Sequence, residues 1–274
     1  MSGALAMVTS YAVPRMEEPE PYLVRIAEAG FTHIHWGNLG KRDYLYTPAE
    51  MEDIRLMLER HGLRLLDLHG TNGIEKRWTA TDEAVRREGV ELIQNRILLT
   101  EALGSGVMVM HIEPHRGDDE YGAVYWKQLF ASLDELRPFA LEHRVRIAVE
   151  LGQCDPLDRV LEKYEPEFVG LCYDSGHGNR RPDGPGWLET HLDRLISIHL
   201  HDNDGSYDQH RVPFTGTVDW PRVMELISRS PYDGCVSLEC EMKFEPYETE
   251  EEFLAASFEA GTRLTEMLEN LRRQ

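Results

Sequence analysis

A closed barrel of eight parallel strands wrapped in helices, a single (β/α)8 TIM barrel, is the fold this sequence predicts, and three observations carry the expectation. Strand-like and helix-like segments alternate eight times from end to end, the pattern of a parallel sheet. Seven of the strand-like runs stop at a residue that can bind metal or move protons: FTHIHW carries His35, and the others end at His69, His111, Glu150, Asp174, His199 and Glu239. In a barrel of this kind all the C-terminal strand ends share one face, so those tips would meet in one place. An open doubly wound sheet is the alternative. It is disfavoured because Pro14-Arg15-Met16, and not a glycine-rich phosphate loop, follows the first strand.

The first strand is read at 7–13, where Val8 to Val13 lack the basic flank of a signal peptide. Helical periodicity fills 19–29, and Gly30 supplies a left-handed cap before the second strand at 31–36. Thr47 followed by Pro48 is a capping residue with proline at the first helical position, so a helix runs over 48–60. Gly62 closes it before strand three at 63–68, and Gly104 closes the long helix 82–103 before strand four at 107–112. Helix 121–143 leads to strand five at 145–150. Asp155-Pro156 repeats the capping signal for helix 156–164, which leads to strand six at 168–173. Helix 186–194, strand 195–200, helix 220–229, strand 234–239 and a last helix at 248–271 complete the set. No linker or shift of composition divides the chain, and 1–274 is read as one domain.

Composition narrows the function. Apolar residues make up 41% and charged residues 28%, ordinary for a globular protein. The apolar runs are far shorter than the roughly 20 residues of a membrane helix. Cys154, Cys172, Cys235 and Cys240 show no CxxC spacing and read as ordinary reduced thiols of a cytoplasmic protein. The net charge of −20, from 49 acidic and 29 basic residues, opposes nucleic-acid binding. The Arg86-Arg87 and Arg180-Arg181 pairs are too small to offset it.

An ionisable tip on an apolar strand is unfavourable unless it is paired or ligated. Glu150, Asp174, His199 and Glu239 end strands five to eight, and three carboxylates converging with an imidazole repel one another without a cation. With one, they form a mixed oxygen and nitrogen donor set suited to manganese, magnesium, cobalt or zinc. Asp174-Ser-Gly-His177 adds an imidazole on the next loop, and Asp208-Gln-His210 follows strand seven. His201 shares a strand face with His199, which leaves it open as a ligand, a partner of a ligand, or a loop histidine. Tyr11, His35, Trp36 and Asn38 stand at the ends of the first two strands, where aromatic faces and a few polar groups suit a sugar or cyclitol ring. Trp36 reads equally as core. His115 and Arg116 are close enough to strand four to reach a substrate acid or phosphate, or to sit in a solvated loop.

Glu150 in IAVELG, YDSGH at 173–177, IHLHD at 198–202, the DxH of Asp208–His210, GTVDW at 216–220 and SLE ending at Glu239 occur in one order over nearly the whole chain. That set resembles the xylose-isomerase-like TIM-barrel superfamily, which holds sugar isomerases and epimerases, inosose dehydratases and endonuclease IV. The resemblance implies a divalent metal, manganese first and zinc, cobalt or magnesium as alternatives, held by Glu150, Asp174, His199 and Glu239. It implies that Glu150 and Glu239 also exchange protons with substrate carbon and that His177 orients a substrate hydroxyl. His69, His111, His35, Trp36 and His210 complete the expected substrate-binding set. The endonuclease branch uses three zinc ions, which His69, His111 and Glu150, then Glu150, Asp174, His199 and Glu239, then His177, Asp208 and His210 would match.

Two departures bear on the reaction. Phe214 and Thr215 stand where the family loop carries glycine, beside the third of those metal positions. Gly205 stands where ketose epimerases carry an arginine, which argues against a free-ketose 3-epimerase. The expected activity is metal-dependent isomerisation, epimerisation or dehydration of a small carbohydrate-like substrate, in a homodimer or homotetramer. An endonuclease IV-like tri-zinc apurinic-site phosphodiesterase is the alternative, with the acidic charge against it.

Overall fold

The computed structural model describes residues 3–12, 18–37, 44–70, 78–112, 122–152, 157–244 and 246–274. Eight parallel strands, β1 (Leu5–Val8), β2 (His33–Trp36), β3 (Arg64–His69), β4 (Val107–Met110), β5 (Arg146–Glu150), β6 (Val169–Asp174), β7 (Leu195–His199) and β8 (Val236–Leu238), form one sheet. Their spatial order is β7-β6-β5-β4-β3-β2-β1-β8. The sheet curls until β7 and β8 meet through the bridge of Leu200 with Leu238. There Leu200 N–H donates to the Ser237 carbonyl at 2.9 Å, and Glu239 N–H donates to the Leu200 carbonyl at 3.1 Å. The barrel is the expected (β/α)8 architecture.

Nine helices are described: α1 (Glu20–Glu28), α2 (Pro48–Arg60), α3 (Glu83–Ala102), α4 (Ala123–Glu142), α5 (Asp158–Lys163), α6 (Ser175–Asn179), α7 (Gly184–Glu189), α8 (Trp220–Arg229) and α9 (Glu250–Arg272). The Thr47 hydroxyl accepts from Glu50 N–H while the Glu50 carboxylate accepts from Thr47 N–H, a full capping box that starts α2. Gly30, Gly62 and Gly104 have φ of 101°, 67° and 81°, the left-handed caps read from the sequence. On α8 the residues Trp220, Val223, Met224, Leu226 and Ile227 fall on one face and are buried against the barrel. Each such burial is worth about 1.5–3 kcal/mol. Among the described residues no helix is long and apolar enough to cross a membrane.

Three expectations need correction. The first strand occupies Leu5–Val8, because the chain turns away from the sheet after Thr9. Tyr11 accordingly faces the helical layer, where its ring stacks on Phe253 at 6.0 Å and its hydroxyl donates to Glu250 at 2.7 Å. The helix expected at 186–194 is the short helix α7 followed by a 3-10 turn at Leu192–Arg194, and α6 stands before it where no helix was expected. Asp174 caps α6 by accepting from His177 N–H, and Asp183 caps α7 by accepting from Gly186 N–H. Asn38, His115, Arg116, Cys154 and the Asp155-Pro156 helix start lie outside the described residues.

Candidate active site

The ladders carry two irregularities, between Ile34 and His35 in β2 and between Leu171 and Cys172 in β6. Beyond them His35 lies opposite Asp67, and Cys172 opposite Ser197. Register shifts of this kind re-aim side chains. At this level the barrel interior is polar, and the pocket stands on it.

Above that layer the tips of β5 to β8 converge. Glu150, Asp174, His199 and Glu239 each bring a donor atom within 4.8 Å of the others. His199 Nδ1 lies 3.2 Å from Glu150 Oε1 and 3.1 Å from Glu239 Oε2. The other oxygen of Glu150, Oε2, has His69 Nε2 and His111 Nε2 each at 3.2 Å, yet it accepts no well-formed hydrogen bond although it is buried. Two imidazole nitrogens converging on a buried carboxylate oxygen that accepts no hydrogen bond fit a shared cation, and both oxygen and imidazole donors suit a first-row divalent ion.

Burial alone would raise the Glu150 carboxyl, but His111, His199 and His69 around it hold it well below the ordinary carboxylate range. Glu239 follows the same pattern: burial opposes ionisation and His199 outweighs it. Burial would depress His199, yet Cys172, Glu239 and Glu150 keep it well above the usual imidazole range.

A second group lines the rim. His177 Nε2 and His210 Nε2 lie 3.1 and 3.0 Å from the same oxygen of Asp208, Oδ2. The opposite ring nitrogens are fixed by backbone: His177 Nδ1–H donates to the Leu151 carbonyl at 2.8 Å and His210 Nδ1–H to the Glu239 carbonyl at 2.8 Å. Burial works against a charged His210, but the Asp208 carboxylate prevails and lifts it to about 10. His201 lies deeper and fully buried, with Nε2 3.0 Å from Asp174 Oδ2 and its ring stacked on His210 at 4.0 Å. Gly176 makes room for it, since a Cβ there would fall 1.9 Å from the His201 ring.

The structure therefore brings together Glu150, Asp174, His199 and Glu239, joins His69 and His111 to them through Glu150, and links His177 to His210 through Asp208. His35 meets the site from below: it is fully buried, and its Nδ1–H donates to Asp67 Oδ1 at 2.6 Å. Trp36 is not brought to the pocket. Strand alternation turns it to the helical side, where it is buried in the core. Asp67 and Ser197 escaped the sequence reading, although Asp67 stands two positions before His69 and must share its face.

A family model described as xylose isomerase-like TIM barrel matches residues 23–257. The uncharacterized protein y4fM of Sinorhizobium fredii is 33% identical over 248 residues, 79% of either chain. An inosose dehydratase of Bacillus velezensis is 25% identical over 162 residues, covering 50% of this chain and about half of the dehydratase, 53%. The crystal structure of a D-tagatose 3-epimerase-like protein superposes with a TM-score of 0.78 at 20% identity, over 99% of both chains. At that identity the likeness is one of fold.

Proposed function

The chain belongs to the xylose isomerase-like TIM-barrel family, and on that premise we propose that it is a divalent-metal-dependent enzyme that isomerises, epimerises or dehydrates a sugar, sugar acid or cyclitol. The observation that carries the reading is the meeting of Glu150, Asp174, His199 and Glu239, with donor atoms within 4.8 Å of one another at the C-terminal end of the barrel. These four residues would hold the ion, for which manganese is our first expectation and zinc, cobalt and magnesium the alternatives. When bound, a divalent cation stabilises the negative oxygen that develops as a proton leaves the carbon beside a carbonyl.

The residues of the chain divide the remaining work. Glu239 is our choice for the base, because its side chain is 14% exposed while that of Glu150 is 1% exposed. The choice rests on that access, since a base must come within hydrogen-bond reach of the proton it takes. In an isomerisation the protonated Glu239 gives the same proton back; in an epimerisation Glu150, on the other side of His199, delivers a proton it has first taken up from solvent. His177 and His210 are fixed at Nδ1 by backbone carbonyls and at Nε2 by Asp208, so a substrate hydroxyl reaches them by sharing Nε2 with that carboxylate, and His69 and His111 line the same wall. In a dehydration His177 is the group that assists the departing hydroxyl. The inosose dehydratase and epimerase-like relatives support a polyhydroxylated substrate.

A specific observation also favours a second reading. His69, His111 and Glu150 bring donor atoms within 4.8 Å of one another, a donor set for a second ion, and His177 and His210 converge on Asp208 at the position of a third. Filled with zinc, they would make an endonuclease IV-like apurinic-site phosphodiesterase.

Metal content of protein purified without added metal or chelator separates the two. About one equivalent of manganese or cobalt, with turnover of a sugar or cyclitol in a substrate panel, is the expected result. Close to three equivalents of zinc with cleavage of abasic-site DNA would make phosphodiester hydrolysis the function. Within the first reading, Glu239→Gln and Glu150→Gln each lower kcat by roughly 10²–10⁴-fold with the fold retained. A near-normal rate in either variant removes that residue from proton transfer.

A further inference from the structure

We propose that the polar layer beneath the pocket, His35, Asp67 and Ser197, is a positioning element that fixes the His199 imidazole and the Glu239 carboxylate, and through them the cation site. This rests on the metal-dependent reading above, and the layer itself touches no substrate. The inside of a barrel of this type is ordinarily filled by layers of branched apolar side chains. Here one level holds a carboxylate, an imidazole and a hydroxyl, none of them more than 1% exposed. A carboxylate taken that far from water is unfavourable by several kcal/mol unless its lone pairs are satisfied. Asp67 meets that demand with one partner from the neighbouring strand and one from across the barrel: His35 Nδ1–H on β2 donates to Oδ1, and the Ser197 hydroxyl on β7 donates to Oδ2.

Both ladder irregularities fall at this level and build it. One sets His35 opposite Asp67, and the other sets Ser197 opposite Cys172. Once Asp67 has fixed the His35 ring, that ring can act only on what lies above it. It packs directly against the His199 ring, with centroids 4.2 Å apart and the planes at 63°. Its second nitrogen, Nε2, is buried without a hydrogen-bond partner and faces Glu239 Oε1 at 3.9 Å. Two of the four cation donors thus rest on one imidazole, whose orientation a single buried carboxylate determines. Partners of this kind set the orientation of a ligand and the affinity of the metal.

The test uses the full chain stripped of metal and titrated with Co²⁺, read by calorimetry and by visible absorption, with circular dichroism as the check on folding. Asp67→Asn, which keeps the size of the side chain, is expected to bind Co²⁺ about 10–100-fold more weakly. Its absorption bands should shift, because the donors around the ion are displaced. Ser197→Ala removes one of the two partners of Asp67 and should show the same spectral shift with a smaller loss of affinity, which carries the test if Asp67→Asn does not fold. Wild-type affinity and unshifted bands in the folded variants overturn the proposal, because a role confined to packing would leave the bound ion unchanged. If the wild-type chain binds no Co²⁺, the metal-dependent reading itself fails and takes the positioning role with it.

Discussion

The loop that leaves β7 carries two buried or half-buried aspartates that are put to opposite uses. Asp202 is fully buried and points away from the pocket. Its oxygens accept from the N–H groups of Asn203, Phe214 and Val218 and from the Trp220 indole, at 2.9, 2.9, 3.1 and 2.9 Å. Every one of those partners belongs to its own loop or to the start of α8. Asp208, in the middle of the same loop, is 29% exposed at the side chain and is gripped by the imidazoles of His177 and His210 instead. Backbone amides around a carboxylate make a structural joint. Imidazoles around one make a place where charge and protons can be exchanged. The loop folds because of the first and has chemistry because of the second.

That contrast can be broken at either end. Asp202→Ala leaves four donors without their acceptor, and even with partial rehydration the loss should be about 3 kcal/mol or more. In a thermal melt this corresponds to a fall in Tm of roughly 6–12 °C. A fall near zero would mean that the loop is held by its other contacts. Asp208→Ala should show the opposite balance, with stability lowered by only about 1 kcal/mol. Turnover should drop roughly 10–100-fold, because His177 and His210 lose the anchor that aims them. Equal damage to stability in the two variants would erase the distinction.

The smallest effect sharpens the comparison. Phe214 has φ of 73°, a left-handed conformation that a bulky residue adopts at a cost of about 1–2 kcal/mol and glycine adopts freely. Its ring gives some of this back by lying 3.8 Å under the Arg263 guanidinium, a contact worth about 0.5–1 kcal/mol, and by packing beside Trp220. Phe214→Gly trades one for the other and should change stability by less than about 1 kcal/mol in the same melt. A loss comparable to that of Asp202→Ala would make the ring an anchor of the loop in its own right.

What the sequence discloses follows from what is periodic in it. The eight units were legible because apolar spacing and glycine caps are local signals, and Gly30, Gly62 and Gly104 each mark a helix end. The four converging tips were legible too, because an ionisable residue at the end of an apolar run is out of keeping with its surroundings. Asp202 and Asp208 could not be told apart on those grounds. Each is an aspartate in a polar loop, and only the fold decides whether amides or imidazoles surround it. Asp67 was hidden for a different reason. It sits inside an apolar run whose tip drew the eye, and its partner Ser197 comes from β7, far along the chain. The α6 helix was missed because Asp174 both ends a strand and caps a helix, two signals that coincide at one residue.

The closure of the barrel has a further consequence. β7 and β8 touch through the single bridge at Leu200, and these are the strands whose ends present His199 and Glu239. Whatever grips those two side chains together also rivets the slit between the first strand order to end and the last to arrive. β8 also pairs with β1, the strand farthest from it along the sequence, so closing that ladder closes the longest loop of any strand pair and carries the largest entropic cost. For this chain, finishing the pocket and finishing the fold are the same act.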